Sequence, residues 1–133
     1  MGTRGHAVRA AAIGSVTLAA LAAPVATAQS PAAEPIPVFA AFATQIEEPW
    51  DAVIHQALLA EEAAGQITYQ WSDDIGYTGD MEPTLRLGVE EQQPAIVFGD
   101  AFLNEAAVRL VAAEYPEVAF AFGSEGGHVN PNF

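Results

Sequence analysis

The sequence has no cysteine and no lysine, and only four arginines stand against its 17 acidic residues. Without cysteine the chain has no disulfide framework and no thiol chemistry. Without lysine it lacks the side chain that a P-loop, a Schiff base or a receiver-domain active site requires. The formal net charge of −13 repels nucleic-acid phosphates and anionic lipids. We therefore expect no nucleic-acid partner.

The amino-terminal 28 residues have the pattern of a secretory signal peptide. Arg4 and Arg9 precede an apolar, uncharged run at 10–23, and a small-x-small cleavage site follows at 26–28 (ATA). The apolar run is too short to span a bilayer stably, and without cysteine there is no lipobox. We expect a signal peptide at 1–28, no stable membrane insertion, and a mature protein in the periplasm or at the outer face of the plasma membrane. A short membrane anchor is the alternative.

After a flexible leader at 29–35, short apolar runs alternate with helical periodicities in a single domain, 36–133. The apolar runs predict strands at residues 36–42, 67–71, 95–98 and 118–122. Helical spacing predicts helices at 49–64, from an Asp80 N-cap to a stop before Pro94, and at about 103–115. Gly65 is expected to end the first helix.

The spacing of apolar residues also predicts the buried face of each helix. The first helix would bury Trp50, Val53, Ile54, Ala57, Leu58 and Ala64, with His55 on its polar face. The second would bury Met81, Leu85 and Val89, and the third would use Ala106, Ala107, Leu110, Val111 and Ala113.

This order of elements predicts an α/β fold. Strands that are apolar without alternation require cover on both faces, which indicates a parallel sheet with helices on both sides and right-handed crossovers. Such a unit is half of a doubly wound domain. A four-stranded sheet with an open edge leaves unpaired backbone N–H and C=O groups on its edge strand. We therefore expect this segment to be an incomplete lobe.

Ligands of open α/β sheets bind beyond the carboxyl ends of the strands, where loops carry the candidate site residues. These are Trp50 and Asp51 after the first strand, Asp100 and Phe102 after the third, and Ser124 after the fourth. Aromatic faces stack on rings, and carboxylates accept hydrogen bonds from hydroxyls or amines. The set fits a neutral or cationic polar molecule better than an anion. The structural alternatives are a core position for Trp50, a role for Phe102 as the hydrophobic anchor of the third helix, and helix N-terminal roles for both aspartates.

Signals for catalysis or metal binding are weak. Ser124 resembles the serine of a nucleophile elbow, but Phe122 stands where G-x-S-x-G has its first glycine. His128 is too close in sequence to make a convincing triad partner. The aspartate pair at 73–74 lacks the ligand spacing of an EF-hand. We expect no metal and no cofactor; a secreted α/β hydrolase using Ser124 is an alternative function.

Three segments taken together resemble a known family. They are 46–59 (IEEPWDAVIHQALL), 96–104 (IVFGDAFLN) and 115–127, the last followed by NPNF at 130–133. They are similar to the amino-terminal part of the basic membrane protein (Bmp, PnrA-like) family, which comprises substrate-binding proteins of ABC importers with a two-lobed type I periplasmic-binding fold. The resemblance spans 36–133, roughly the first third of a family member.

The resemblance implies a site as well as a fold. In the family, an acidic run and a Phe-Asn pair open the first helix, and the aromatic ring stacks on a purine base. Here Trp50 preserves the stacking surface, while Asp51 replaces an amide with an acceptor. Family members also carry Asp near the ends of strands one and four, where this chain has 42–43 (FA) and 123–124 (GS); Asp100 is a local substitute.

The resemblance therefore implies an exported solute-binding protein and not an enzyme. It would capture a small polar ligand, such as a purine nucleoside, between two lobes and deliver it to ABC permease subunits. A ligand-free envelope or sensory domain is the remaining alternative.

Overall fold

The computed structural model describes residues 33–123 and 131–132. Its elements in chain order are β1 (Ile36–Ala41), α1 (Pro49–Ala63), β2 (Ile67–Ser72), α2 (Met81–Gln92), β3 (Ile96–Asp100), α3 (Glu105–Glu114) and β4 (Ala119–Gly123). The signal peptide at 1–28, Ser124 and His128 lie outside the described residues, so the expectations for them stay predictions. Within the described part, no helix is long and apolar enough to cross a membrane.

The four strands form one all-parallel sheet in the order β2-β1-β3-β4. Apolar clusters on opposite faces join the sheet to α1 on one side and to α2 and α3 on the other. The predicted α/β fold with helices on both faces is thus confirmed. Because the chain leaves β1 toward β2 and leaves β3 toward β4, a topological switch point lies between β1 and β3.

The central strand β1 has little alternation, whereas the edge strands have more. The last four residues of β1 are buried, alternately against the two helical layers. Edge strands instead mix buried and exposed positions, as in β4, where Phe120 is buried while Ala119 and Ala121 are exposed. The core on the α2 and α3 side consists chiefly of Phe39, Val97, Met81, Leu85, Val108, Val111 and Phe120.

The ends of α1 are fixed by local hydrogen bonds. The Glu48 carboxylate accepts from the backbone N–H groups of Trp50 (2.8 Å) and Asp51 (3.4 Å), and so caps the helix N-terminus. At the other end Gly65 has a φ of 73°, and its N–H donates to the Glu62 carbonyl at 2.9 Å. This left-handed glycine ends the helix as predicted.

The predicted buried face of α1 is partly wrong. Leu58 is buried and Ile54 packs against the core, as predicted. Trp50 is 66% exposed and Val53 is 69% exposed, whereas the polar residues Asp51 and His55 are buried. His55 Nδ1 lies 3.0 Å from the Tyr69 hydroxyl, so β2 supplies a partner for this buried side chain.

Helix α2 buries Met81, Leu85 and Val89 as predicted. Asp80 stands at its N-cap position, but its carboxylate accepts from the Thr78 hydroxyl at 3.1 Å and makes no capping bond to the helix. In α3 the prediction was partly wrong. The buried residues are Val108, Val111 and Ala112, while Ala106, Leu110 and Ala113 are exposed.

Hydrogen bonds of the Arg86 and Asn132 side chains join α3 to its neighbours. Arg86 of α2 donates to both carboxylate oxygens of Glu114 on α3, at 2.8 and 2.7 Å. The side-chain nitrogen of Asn132 lies 2.8 Å from the carbonyl oxygen of Ala112 and 3.0 Å from that of Val118. The Asn132 backbone oxygen accepts from the Phe120 N–H at 2.7 Å. Asn132 therefore connects the end of α3 to β4.

Candidate functional site

A cleft of about 250 Å³ lies at the carboxyl edge of the sheet, beside the switch point. We call it the rim cleft. Its carboxylates are Glu48, Asp51 and Asp100, its aromatic side chains are Trp50, Tyr77 and Phe102, and Ala43 and Thr44 complete its lining. The structure thus brings together four of the predicted site residues, Trp50, Asp51, Asp100 and Phe102. The fifth, Ser124, lies outside the described residues.

Asp51 is the most unusual polar group of the rim cleft, because it is only 2% exposed. Its Oδ2 accepts from the Thr44 hydroxyl at 2.6 Å and from the Thr44 N–H at 3.4 Å. Its Oδ1 is buried and has no hydrogen-bond partner in the described part. A buried carboxylate oxygen without a donor is costly, so an N–H or O–H group that reached this atom would stabilise it.

The electrostatic surroundings act on the Asp51 carboxyl in two directions. Burial raises its pKa most strongly, the two hydrogen bonds from Thr44 lower it, and the charges of Asp100 and Glu48 raise it again. The net result is a pKa above the ordinary value of an aspartate. The rim cleft therefore gathers negative charge around a carboxyl group that already resists ionisation.

The N-terminus of α1 does not offer an anion site, although helix N-termini often do. The Glu48 carboxylate already accepts from the first free N–H groups of the helix. The two arginines of the described part pair with glutamates, Arg86 with Glu82 and Glu114, and Arg109 with Glu105. Neither arginine lines the rim cleft. The site therefore disfavours anions.

The aromatic side chains of the rim cleft are exposed. Trp50 is 66%, Phe102 53% and Tyr77 45% exposed, and the rings of Tyr77 and Phe102 meet edge to face with centroids 6.4 Å apart. The alternative of a core position for Trp50 is therefore wrong. Exposed rings around a polar cleft provide surfaces on which a ligand ring can stack.

The loops around the rim cleft are tied to one another. The N–H groups of Asp74 and Gly76, after β2, donate to the carbonyls of Thr44 and Ala43, after β1, at 2.9 and 2.8 Å. The buried Asn104 side chain donates to the Gly76 carbonyl at 3.1 Å and so connects the loop after β3. Such cross-links hold the lining residues in place before a ligand arrives, which lowers the entropic cost of binding.

Asp100, at the end of β3, and Asp73, in the loop after β2, accept hydrogen bonds from backbone N–H groups. The Asp100 carboxylate accepts from the Phe102 N–H at 3.0 Å, before α3 begins at Glu105, so it fixes a turn and does not cap the helix. Asp73 accepts from the Ile46 N–H at 3.2 Å and joins the first two loops. Asp73 therefore has a structural partner.

The candidate site residues chosen from the sequence did not include Thr44, Glu48 and Tyr77, which line the rim cleft, or Asn104, which supports it. Thr44 follows the most buried strand, and this position is the signal that could have found it. Asn104 precedes a helical periodicity, where asparagine is common as a cap, yet it makes no side-chain capping bond and instead reaches another loop. That long-range bond has no sequence signal.

The types of side chain at the site restrict which ligands it can bind. Within residues 33–123 and 131–132, no group of three or more histidine, aspartate or glutamate side chains is placed to hold a metal ion. The rim cleft thus presents hydrogen-bond acceptors and aromatic rings. The chain matches no protein-family model, and its sequence matches no curated protein.

Proposed function

We propose that the chain is the ligand-capturing lobe of an exported solute-binding protein that serves an ABC importer. The observation that carries this proposal is the rim cleft itself, in which the buried, unpartnered Asp51 Oδ1 lies among exposed aromatic side chains at the switch point. A ligand site is expected at this place in an open α/β sheet. The family resemblance implies a small polar solute such as a purine nucleoside and delivery to permease subunits.

The size and openness of the cleft support capture between two lobes. Its volume of about 250 Å³ is below the roughly 300–1,000 Å³ of pockets that enclose a small ligand. A neighbouring cavity of about 440 Å³ shares Trp50, Asp100 and Phe102 with it, and another of about 410 Å³ shares Trp50. The rim therefore forms one wall, and hinge closure of a second lobe would supply the other.

Capture requires no bond making or breaking. The ligand donates a hydrogen bond to Asp51 Oδ1, which offsets the cost of leaving that oxygen unpaired. Its ring packs against Trp50, and the cross-linked loops need little rearrangement. Closure then excludes water, and the permease receives the ligand when the lobes separate.

Isothermal titration calorimetry of the purified chain tests the proposal, because the cross-linked loops of the rim cleft should bind ligand, more weakly, without the second lobe. The panel consists of purine nucleosides, pyrimidine nucleosides, simple sugars and small aromatic amines. We expect heat of binding from at least one class, with a matching rise in melting temperature, since a ligand at a hundredfold excess over Kd adds about 2.7 kcal/mol of stability. If no class gives heat or a thermal shift, the solute-binding function is wrong.

Replacing Trp50 with alanine tests the stacking wall. Because Trp50 is 66% exposed, its loss should leave folding nearly unchanged but weaken ligand binding by about 1–3 kcal/mol, as aromatic stacking does elsewhere. Leu59→Ala is the matched control, since Leu59 is an exposed apolar residue of the same helix outside the rim cleft. Calorimetry and thermal melts on both variants separate the effects; a large stability loss with unchanged affinity would contradict the assignment of Trp50 to the site.

A further inference from the structure

The rim cleft carries several negatively charged side chains, and a neutral solute would leave their charge uncompensated. Glu48, Asp51 and Asp100 line it together; among residues 33–123 and 131–132, the Asp51 Oδ1 has no donor and no basic residue lines the cleft. We propose that the solute captured here is an organic cation, a protonated amine attached to a flat ring, whose N–H donates to Asp51 Oδ1 while its ring lies against Trp50. This inference rests on the proposed solute-binding function and specifies its ligand class.

The buried position of Asp51 favours a charged donor over a neutral one. Asp51 is 2% exposed, and within the part of the chain that the structure describes its Oδ2 alone has partners, the hydroxyl and N–H of Thr44. An isolated buried carboxylate is stabilised most by an opposite charge that also donates a hydrogen bond. A protonated amine supplies both at once, and its charge is also attracted by Glu48 and Asp100.

The aromatic lining fits the same class of ligand. Trp50, Tyr77 and Phe102 all line the rim cleft and are all substantially exposed. Aromatic faces attract cations through the ring quadrupole and also stack on flat rings. A molecule that joins an ammonium group to a ring would therefore use the carboxylates and the aromatic wall together.

Other charged ligands fit less well. An anion would meet three carboxylates at a helix N-terminus whose first N–H groups already donate to Glu48. A metal ion such as Ca²⁺ takes about six to eight oxygen ligands, and the described part offers no cluster of that kind. Because Thr44 occupies Oδ2, Asp51 has one oxygen left, which suits a single N–H donor.

The experiment compares matched pairs that differ in the amine. Tyramine is paired with 4-ethylphenol, and tryptamine with 3-ethylindole, in calorimetric titrations of the purified chain at neutral pH. We expect at least one amine to bind tenfold or more tightly than its deaminated partner. The difference should shrink as NaCl is raised, because salt screens the attraction between charges. Adenosine and inosine are titrated in the same series.

Variants locate the effect at the carboxylate. Asp51→Asn keeps the side-chain shape but removes the charge, so we expect amine affinity to fall tenfold or more. Glu47→Gln removes the same charge from an exposed residue outside the rim cleft and should change affinity less than threefold. Since the amine comparison uses the unaltered chain, it remains decisive even if Asp51→Asn folds poorly.

The outcomes separate the two proposals. If nucleosides or sugars bind while each amine binds no better than its partner, the cation inference is wrong and the solute-binding function stands. If an amine binds tightly but Asp51→Asn binds it equally well in folded form, the inference is also wrong, since the amine does not use the rim cleft as proposed. If nothing in the panel binds, both proposals fall.

Discussion

Gly99→Ala is expected to destabilise the fold by about 3 kcal/mol, near the upper end of the usual cost of overpacking a core. Gly99 of β3 pairs with Ala41 of β1 on one side and with Phe122 of β4 on the other. A Cβ added there would lie 2.6 Å from Phe122 Cε1 and closer still to the Ala41 carbonyl oxygen. The backbone carbonyl cannot rotate away without disrupting the ladder between the two central strands.

Chemical denaturation and thermal melts of the Gly99→Ala variant measure this effect. Gly65→Ala is the control, because a Cβ at Gly65 meets no atom within 4 Å and is disfavoured only by the φ of 73°. We expect the control to lose about 1 kcal/mol. Equal losses in the two variants would show that β1 and β3 do not approach as closely as described, and would weaken the basis for the rim cleft beyond them.

Asp51→Asn is expected to make the ligand-free protein more stable at neutral pH by about 1 kcal/mol, while the same change removes the charge that the cation inference requires. Burial raises the pKa of Asp51 above its ordinary value. A group whose folded pKa is raised favours folding in its protonated form, and that contribution disappears as the pH rises through the folded pKa. The unaltered carboxylate therefore weakens the fold at neutral pH. Asparagine can still accept the Thr44 hydrogen bond.

The pH dependence identifies the cause of this stabilisation. The gain in the free energy of unfolding should be present at pH 7 and should vanish as the pH falls below about 4, where an ordinary aspartate is itself protonated. Glu47→Gln, at an exposed position, should change stability by less than about 0.5 kcal/mol at either pH. A variant that is less stable than the original at pH 7 would mean that the Asp51 charge supports the fold.

A more stable variant that captures ligand poorly would show a conflict between stability and function at one residue. Sites built for binding often retain groups that weaken the unliganded protein. At Asp51 the conflict would have an identifiable origin, since Oδ1 is buried and no group of the described residues donates to it.

Much of the fold could be predicted from the sequence because its signals are local. The apolar run of β1, the left-handed Gly65 and the inner face of α2 each depend on residues close together in the chain. Parallel pairing then follows from the alternation of strands and helices.

The burial of Asp51 and His55 in α1 could not be predicted, because their partners lie outside the helix. His55 is buried beside the Tyr69 hydroxyl of β2, and Asp51 is buried against Thr44. A periodicity that counts only apolar residues places these two on the outside and Trp50 on the inside. In the structure Trp50 is exposed instead, and it lines the rim cleft.

The position of the candidate site could be predicted from the sequence, but the contacts within it could not. The carboxyl edge of the sheet follows from topology alone, and Trp50, Asp51, Asp100 and Phe102 do meet there. The unpaired state of one Asp51 oxygen and the cross-link made by Asn104 depend on distances between loops. The spacing of residues along the sequence does not predict those distances.

Asn132 has a consequence for how the molecule behaves among its neighbours. Strands at the border of a sheet can recruit strands from other chains through unused backbone groups. The Asn132 carbonyl takes up the Phe120 N–H of β4, and its amide secures that segment to the end of α3. The outer edge of β4 therefore has one fewer unpaired backbone donor to offer a strand of another chain, in a protein whose exposed surface includes several large apolar side chains.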